Sequence, residues 1–97
     1  MLNYVKDKVI IITGAGSGFG KLVSEMASDM GGKIICADIN QTEVKAVVDG
    51  IKNKGNLAEY IVTDVTSKEQ VEEMVQFAVE TYGQIDILVN NAGIMPS

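Results

Sequence analysis

The chain has no histidine and a single cysteine, Cys36. Without imidazole and with one thiol, a zinc site is disfavoured, and no Ser-His-Asp or Cys-His nucleophile can be assembled within the chain. One cysteine also forbids an intramolecular disulfide, and its place in the middle of an apolar run suits a reducing cytoplasm. Basic clusters are missing too: 8 Lys and Arg against 13 Asp and Glu leave a net charge of −5. That balance argues against nucleic acid and against anionic membrane surfaces as partners. No apolar run approaches membrane-spanning length, and Met1-Leu2-Asn3-Tyr4 lacks a charged-then-apolar leader, so a cytoplasmic location is expected. Repeats, linkers and low-complexity segments are absent. What remains is 97 residues with 46% hydrophobic content, enough for one globular domain or part of one.

The strongest positive signal is the run Thr13-Gly14-Ala15-Gly16-Ser17-Gly18-Phe19-Gly20, entered directly from Val9-Ile10-Ile11-Ile12. It reads as a strand that breaks into a glycine-rich turn and opens a helix. A Cβ in such a turn would hold a pyrophosphate away from the backbone N–H groups and from the positive end of the helix. A competing pattern, Ala15 to Lys21 as A-x-x-x-x-G-K, falls one residue short of a triphosphate-binding loop. Leu22 rejects it, because the residue after that lysine must offer an oxygen to Mg²⁺.

A second apolar run, Lys33-Ile34-Ile35-Cys36-Ala37, ends in Asp38, eighteen residues after Gly20. An acid at the tip of the second strand of a dinucleotide fold accepts from the adenosine ribose hydroxyls and repels a 2′-phosphate. Asp38 therefore argues for NAD over NADP. No Lys or Arg precedes Gly18 in the turn, and Ile39 and Asn40 follow Asp38, so nothing cationic is placed to hold that phosphate. The competing reading makes Asp38 a loop acid or helix cap, although Asn40, with Glu43 three residues on, is the better cap.

Two further strands are read at Ala58-Glu59-Tyr60-Ile61-Val62-Thr63, delivering Asp64-Val65, and at Ile85-Asp86-Ile87-Leu88-Val89, delivering Asn90-Asn91-Ala92-Gly93. Helices between the strands follow from apolar spacing. Leu22, Val23, Met26, Ala27 and Met30 form one stripe ended by Gly31-Gly32, with Met26, Met30 and Met74 read as ordinary core filling. Val44, Val47, Val48 and Ile51 form a second, stopping before Gly55. Val71, Met74, Val75, Ala78, Val79 and Tyr82 form a third, from a Ser67-x-x-Gln70 capping box to Gly83. The expected fold is α/β, a Rossmann-type doubly wound parallel sheet of four strands in order 3-2-1-4 with three helices, its strands buried on both faces.

The spacing T-G-x-x-x-G-x-G at Thr13 to Gly20 resembles the signature of the short-chain dehydrogenase/reductase family. The resemblance covers the whole chain but only the first portion of the family's length. It implies cofactor contacts from Gly14, Ser17, Gly18, Phe19 and Gly20, with Phe19 an apolar residue near the nicotinamide end. It implies that Asp64 accepts from the adenine amine while Val65 packs on the ring. Asn91, Ala92 and Gly93 would lie nearest the cofactor ribose, with Asn90 mainly structural. The family's catalytic Tyr, Lys, Ser and Asn follow the N-N-A-G motif, so none is assigned here. A literal Y-x-x-x-K at Tyr4 to Lys8 precedes the first strand and is set aside, as is Ser97, too close to the fourth strand.

Residues 1–97 are thus expected to be an incomplete NAD-binding domain, the first half of an NAD-dependent oxidoreductase acting on a secondary alcohol or carbonyl. The alternative is a non-catalytic NAD-binding module or a truncated product without activity. The resemblance implies a homo-oligomer in the complete enzyme. Ile87-Leu88-Val89 is expected to form an unguarded edge through which an isolated chain associates.

Overall fold

Residues Val9–Thr13 are all apolar or β-branched, and they form β1, the strand on which the rest of the sheet is laid. In the computed structural model, which describes residues 3–92, β1 is followed by α1 (Gly18–Asp29), β2 (Lys33–Asp38), α2 (Gln41–Asn53), β3 (Leu57–Val62), α3 (Lys68–Tyr82) and β4 (Ile87–Asn90). The sheet order is β3-β2-β1-β4 and every pairing is parallel, as the alternating pattern predicts. Ile11 pairs with Ile35 on one side and Leu88 on the other, which aligns the strand ends that carry Thr13, Asp38 and Asn90.

Alternation along the strands divides the core into two layers. Ile10, Ile12, Ile34, Cys36 and Ala58 face α1 and α2, where Ala27, Val44, Val47, Val48 and Ile51 meet them. Ile11, Ile35 and Ala37 face α3, packed by Met74 and Ala78. Ile11, Ile12, Ile34 and Ile35 are fully buried, each contributing roughly 1.5–3 kcal/mol of transfer free energy. Burial also pushes the Cys36 thiol up to about 11, against a smaller opposing effect of its hydrogen bond with Ser24. Burial on both faces holds for β1 and β2. It fails at the margins, where Leu57, Val62, Ile87 and Leu88 are exposed. β4 begins at Ile87, so Ile85 and Asp86 lead into the strand; Asp86 fastens that approach by accepting from Val9 N–H at 2.9 Å.

Each helix is followed by a glycine with positive φ, Gly31 at 90°, Gly55 at 83° and Gly83 at 87°, the left-handed stop that spares a side chain. At the other ends, Asn40 Oδ1 accepts from Glu43 N–H at 3.0 Å and Ser67 Oγ accepts from Gln70 N–H at 3.2 Å. The Ser67 capping box is only half formed, because Gln70 Oε1 accepts from Asp64 N–H at 2.8 Å and so braces the loop after β3.

The expected buried face of α1 is corrected by the structure. Leu22, Met26 and Met30 are 52%, 57% and 44% exposed, while Gly20, Ser24, Ala27 and Ser28 are buried and Val23 lies half-buried at the margin. Small side chains let the helix come close to the strands; a Cβ on Gly20 would collide with Gly14 O. The buried hydroxyls are satisfied by their own helix, Ser24 donating to Gly20 O at 2.7 Å and Ser28 to Glu25 O at 2.9 Å. Met74 is core, as expected, but Met26 and Met30 are not. Along α3, likewise, Met74 and Ala78 are buried whereas Val75 and Val79 are exposed.

Candidate functional site

All four strands point the same way, so their carboxyl ends form one rim. β1 delivers Thr13 and the glycine turn, β2 delivers Asp38, β3 leads to Thr63 and Asp64, and β4 ends at Asn90. The rim is tied strand to strand beyond the ladders. Ala15 N–H donates to Ala37 O at 3.1 Å and Thr63 N–H donates to Asp38 O at 2.9 Å. Between β1 and β4, Thr13 Oγ1 donates to Asn90 Oδ1 at 3.0 Å and accepts from Ala92 N–H at 3.0 Å.

These ties enclose a cleft of about 170 Å³ lined by Gly14, Asp38, Ile39, Thr63, Asp64, Val65 and Ala92. Sequence reasoning had singled out Gly14, Asp38, Asp64, Val65 and Ala92; the fold brings all of them to one opening. Asn91 stands beside it, its Nδ2 donating to Gly14 O at 3.4 Å. Ser17, Gly18 and Phe19 lie exposed at the turn and the start of α1, outside the lining of the cleft. Gly20 is buried beneath the turn. Gly93 and Ser97 lie outside the described residues. Tyr4 and Lys8 precede β1, at the opposite end of that strand from the rim.

The turn is shaped by what its glycines lack. Gly14 has φ of 65°, and a Cβ there would stand 2.8 Å from Asn91 Nδ2 and 3.2 Å from Ala92 N. Gly18, with φ of 56°, has nothing within 4 Å of such a Cβ, so its outer side is open to a ligand. Ser17 is the N-cap of α1 yet makes no side-chain cap, and the first turn holds no acid. The positive end of the helix therefore meets no negative side chain of its own first turn. The residues fit a pyrophosphate: bare turn, helix start and open approach coincide.

Two carboxylates flank the cleft in different states of engagement. Asp38 Oδ2 accepts from Gly16 N–H at 2.8 Å and Oδ1 from Asn40 N–H at 2.9 Å, fixing the group across the mouth of the turn. Asp64 Oδ1 accepts from the Thr66 hydroxyl at 2.6 Å and from Thr66 N–H at 2.9 Å. Those bonds, the hydroxyl's first and the amide's second, hold its carboxyl below the usual range. Asp64 Oδ2 has no hydrogen-bond partner among the described residues and remains an acceptor.

Sequence reasoning missed Thr63, Ile39 and the part played by Gly16. Thr63 could have been found from its place at the end of the third strand, directly before Asp64. Gly16 gave no signal beyond being one more glycine in a glycine-rich turn. Among the described residues, no group of three or more His, Cys, Asp and Glu is placed to hold a metal ion, and no helix is long and apolar enough to cross a membrane.

Comparison with known proteins gives three concordant findings. A family model described as short chain dehydrogenase matches residues 8–97. The chain is 46% identical over 91 residues to an uncharacterized oxidoreductase of Thermotoga maritima, covering 94% of this chain and 36% of that protein. Among solved structures, a hydroxysteroid dehydrogenase from Escherichia coli superposes with a TM-score of 0.89 at 36% identity, covering 95% of this chain and 42% of that one. A short chain dehydrogenase/reductase from Burkholderia phymatum, solved in complex with NAD, superposes with a TM-score of 0.86 at 33% identity, covering 91% of this chain and 31% of that one.

Proposed function

The chain belongs to the short-chain dehydrogenase family, and from that membership we propose that it is the cofactor-binding portion of an NAD-dependent oxidoreductase. The complete enzyme would move hydride between NAD and a secondary alcohol or carbonyl. The observation that carries this reading is the cleft in which Asp38 faces the glycine turn across the carboxyl ends of β1 and β2. Support comes from the Burkholderia phymatum protein, whose structure contains NAD and whose fold this chain shares.

In this reading each residue has a binding or orienting task. Gly14, Gly18 and the N–H groups at the start of α1, with Ser17, hold the pyrophosphate, and Gly20 keeps the helix close enough to do so. Asp38 accepts from the ribose hydroxyls and repels a 2′-phosphate. Asp64 accepts from the adenine amine while Val65 covers the ring; Asn91, Ala92 and Gly93 line the second ribose, and Phe19 shields the nicotinamide side. When bound, the nicotinamide supplies the hydride chemistry, and the protein supplies position. The catalytic acid/base and the substrate surface belong to the remainder of such an enzyme, for the chain spans about a third to two fifths of the relatives above. A homo-oligomer in the cytoplasm completes the proposal; Cys36 is buried and free of any disulfide.

A non-catalytic NAD-binding module is the second reading. The Tyr4 to Lys8 pattern, at the end of β1 away from the rim, serves neither reading as a catalytic pair. Titration calorimetry with NAD and NADP, followed by assay against a panel of alcohols, tests both. NAD should bind more tightly than NADP, Asp38→Ala should shrink the gap, and residues 1–97 alone should turn over nothing. Equal affinity for both cofactors would remove the role given to Asp38, and a genuine rate from this chain would remove the claim that catalysis lies elsewhere.

A further inference from the structure

Asp64, Ser67 and Gln70 close a ring of three hydrogen bonds. Ser67 N–H donates to Asp64 O at 3.0 Å, Gln70 N–H to Ser67 Oγ at 3.2 Å, and Asp64 N–H to Gln70 Oε1 at 2.8 Å. In a full capping box the glutamine side chain would take Ser67 N–H. Here the Asp64 carbonyl occupies that amide, and the glutamine oxygen turns to the amide of Asp64 instead. The bonds differ in reach. The one from Ser67 to Asp64 spans three residues and those from Thr66 to Asp64 Oδ1 span two, so all of these travel with the loop. Among the described bonds at Asp64, the one to Gln70 joins the loop to the body of α3. Packing does little to replace it: Val65, next in the loop, lines both the cleft and a second hollow of about 200 Å³ shared with Val71 and Met74 of α3.

We propose that Gln70 is a positioning residue for recognition of the nucleotide base: its side-chain oxygen anchors the Asp64 backbone to α3 and so keeps the Asp64 carboxylate at the cleft. The proposal rests on the reading of Asp64 as the acceptor of the adenine amine. Gln70 itself touches no ligand. Without its oxygen, the part-buried Asp64 N–H must turn toward water to be satisfied. The carboxylate turns with it, and recognition of the amine weakens while the glycine turn, the start of α1 and Asp38 stay as they are.

The test is calorimetric titration of the full chain with NAD and with nicotinamide hypoxanthine dinucleotide, in which an oxygen replaces the purine amine. Wild type should prefer NAD, and loss of one hydrogen bond predicts that Gln70→Leu lowers that preference about threefold to tenfold. Gln70→Glu keeps an oxygen at the same reach and should stay within about twofold of wild type. Ser67→Ala uncaps α3 but leaves the Gln70 side chain in place, so it should lower the melting temperature and spare the preference. In an Asp64→Ala background, Gln70→Leu should change the ratio by less than about twofold, because the group through which it acts is gone. A loss in Ser67→Ala as large as that in Gln70→Leu would assign the effect to a weakened helix and overturn the proposal, as would an equal loss in Gln70→Glu. If Gln70→Leu does not fold, Gln70→Ala takes its place against the same thresholds. A wild-type preference that survives the change at Gln70 defeats this proposal alone, whereas a wild type that does not favour NAD over the analogue, or binds neither, defeats the reading of Asp64 as well.

Discussion

Thr13 and Asn90 are joined side chain to side chain, the threonine hydroxyl donating to Asn90 Oδ1 at 3.0 Å at the ends of β1 and β4. The same oxygen accepts from Ala92 N–H at 3.0 Å, and Thr13 is only 2% exposed. Thr13→Val keeps the shape and removes both bonds, leaving Ala92 N–H without its threonine partner. Destabilisation of about 1–3 kcal/mol is expected in urea denaturation, with Thr13→Ser retaining most of the stability. A valine variant as stable as wild type would show that water replaces the hydroxyl without loss.

Gly20 and Gly18 should respond differently to alanine. At Gly20 the new methyl runs into Gly14 O, a backbone atom that cannot step aside, and overpacking of about 1–3 kcal/mol is expected. At Gly18 nothing lies within 4 Å, so the change costs the backbone about 1–2 kcal/mol for its left-handed φ and otherwise acts on ligand access. Thermal melts with and without NAD separate the two. Gly20→Ala should lower the melting temperature more than Gly18→Ala does without cofactor, and Gly18→Ala should erase more of the rise that NAD confers.

Acid sensitivity should pass through Asp86. Its carboxyl is held below the usual range, first by the bond from Val9 N–H and then, against some desolvation, by Gln84, Lys8 and Lys33. A depressed folded pKa stabilises the fold above the unfolded carboxylate value of about 3.9, and that stability is lost as pH falls through the lower folded value. Asp86→Asn keeps an acceptor for Val9 but cannot titrate. Its stability should therefore fall less than wild type's between about pH 4 and pH 2, as followed by circular dichroism in denaturant at each pH. Parallel acid limbs for the two proteins would remove Asp86 from the account.

The methionines offer a direct check on the corrected core. Met26→Gln, at a 57% exposed position, should change unfolding free energy by no more than about 0.5 kcal/mol. Met74→Ala, at a position 2% exposed, should cost about 2–5 kcal/mol. Urea midpoints with unchanged slopes are the readout, and similar losses at the two positions would restore Met26 to the core.

Much of this molecule was legible because its strands are long apolar runs and its helices end on glycine. The order β3-β2-β1-β4 and the gathering of Gly14, Asp38, Asp64, Val65 and Ala92 both follow from that pattern. The face of α1 was not legible, since hydropathy registers large apolar side chains and is blind to close approach. Gly20, Ser24 and Ser28 carry no apolar signal, and they bury because they are small. The Ser67 capping box misled in a similar way: Gln70 has the right spacing to reach back, but Asp64 N–H, presented by the loop after β3, is a partner that only tertiary structure supplies. The Gly16 N–H shows the same limit, because the carboxylate it donates to is 22 positions away.

Asp86 reaches Val9 across 77 residues, at the start of the ladder by which β1 gains its β4 neighbour. β2 can join β1 early, but the opposite edge of the central strand waits until Ile87–Asn90 have been made. At a synthesis rate of about 5–20 residues per second, the wait is roughly 4 to 15 s. Through that interval one side of β1 shows a bare row of amides and carbonyls, the kind of open strand edge to which another chain can add.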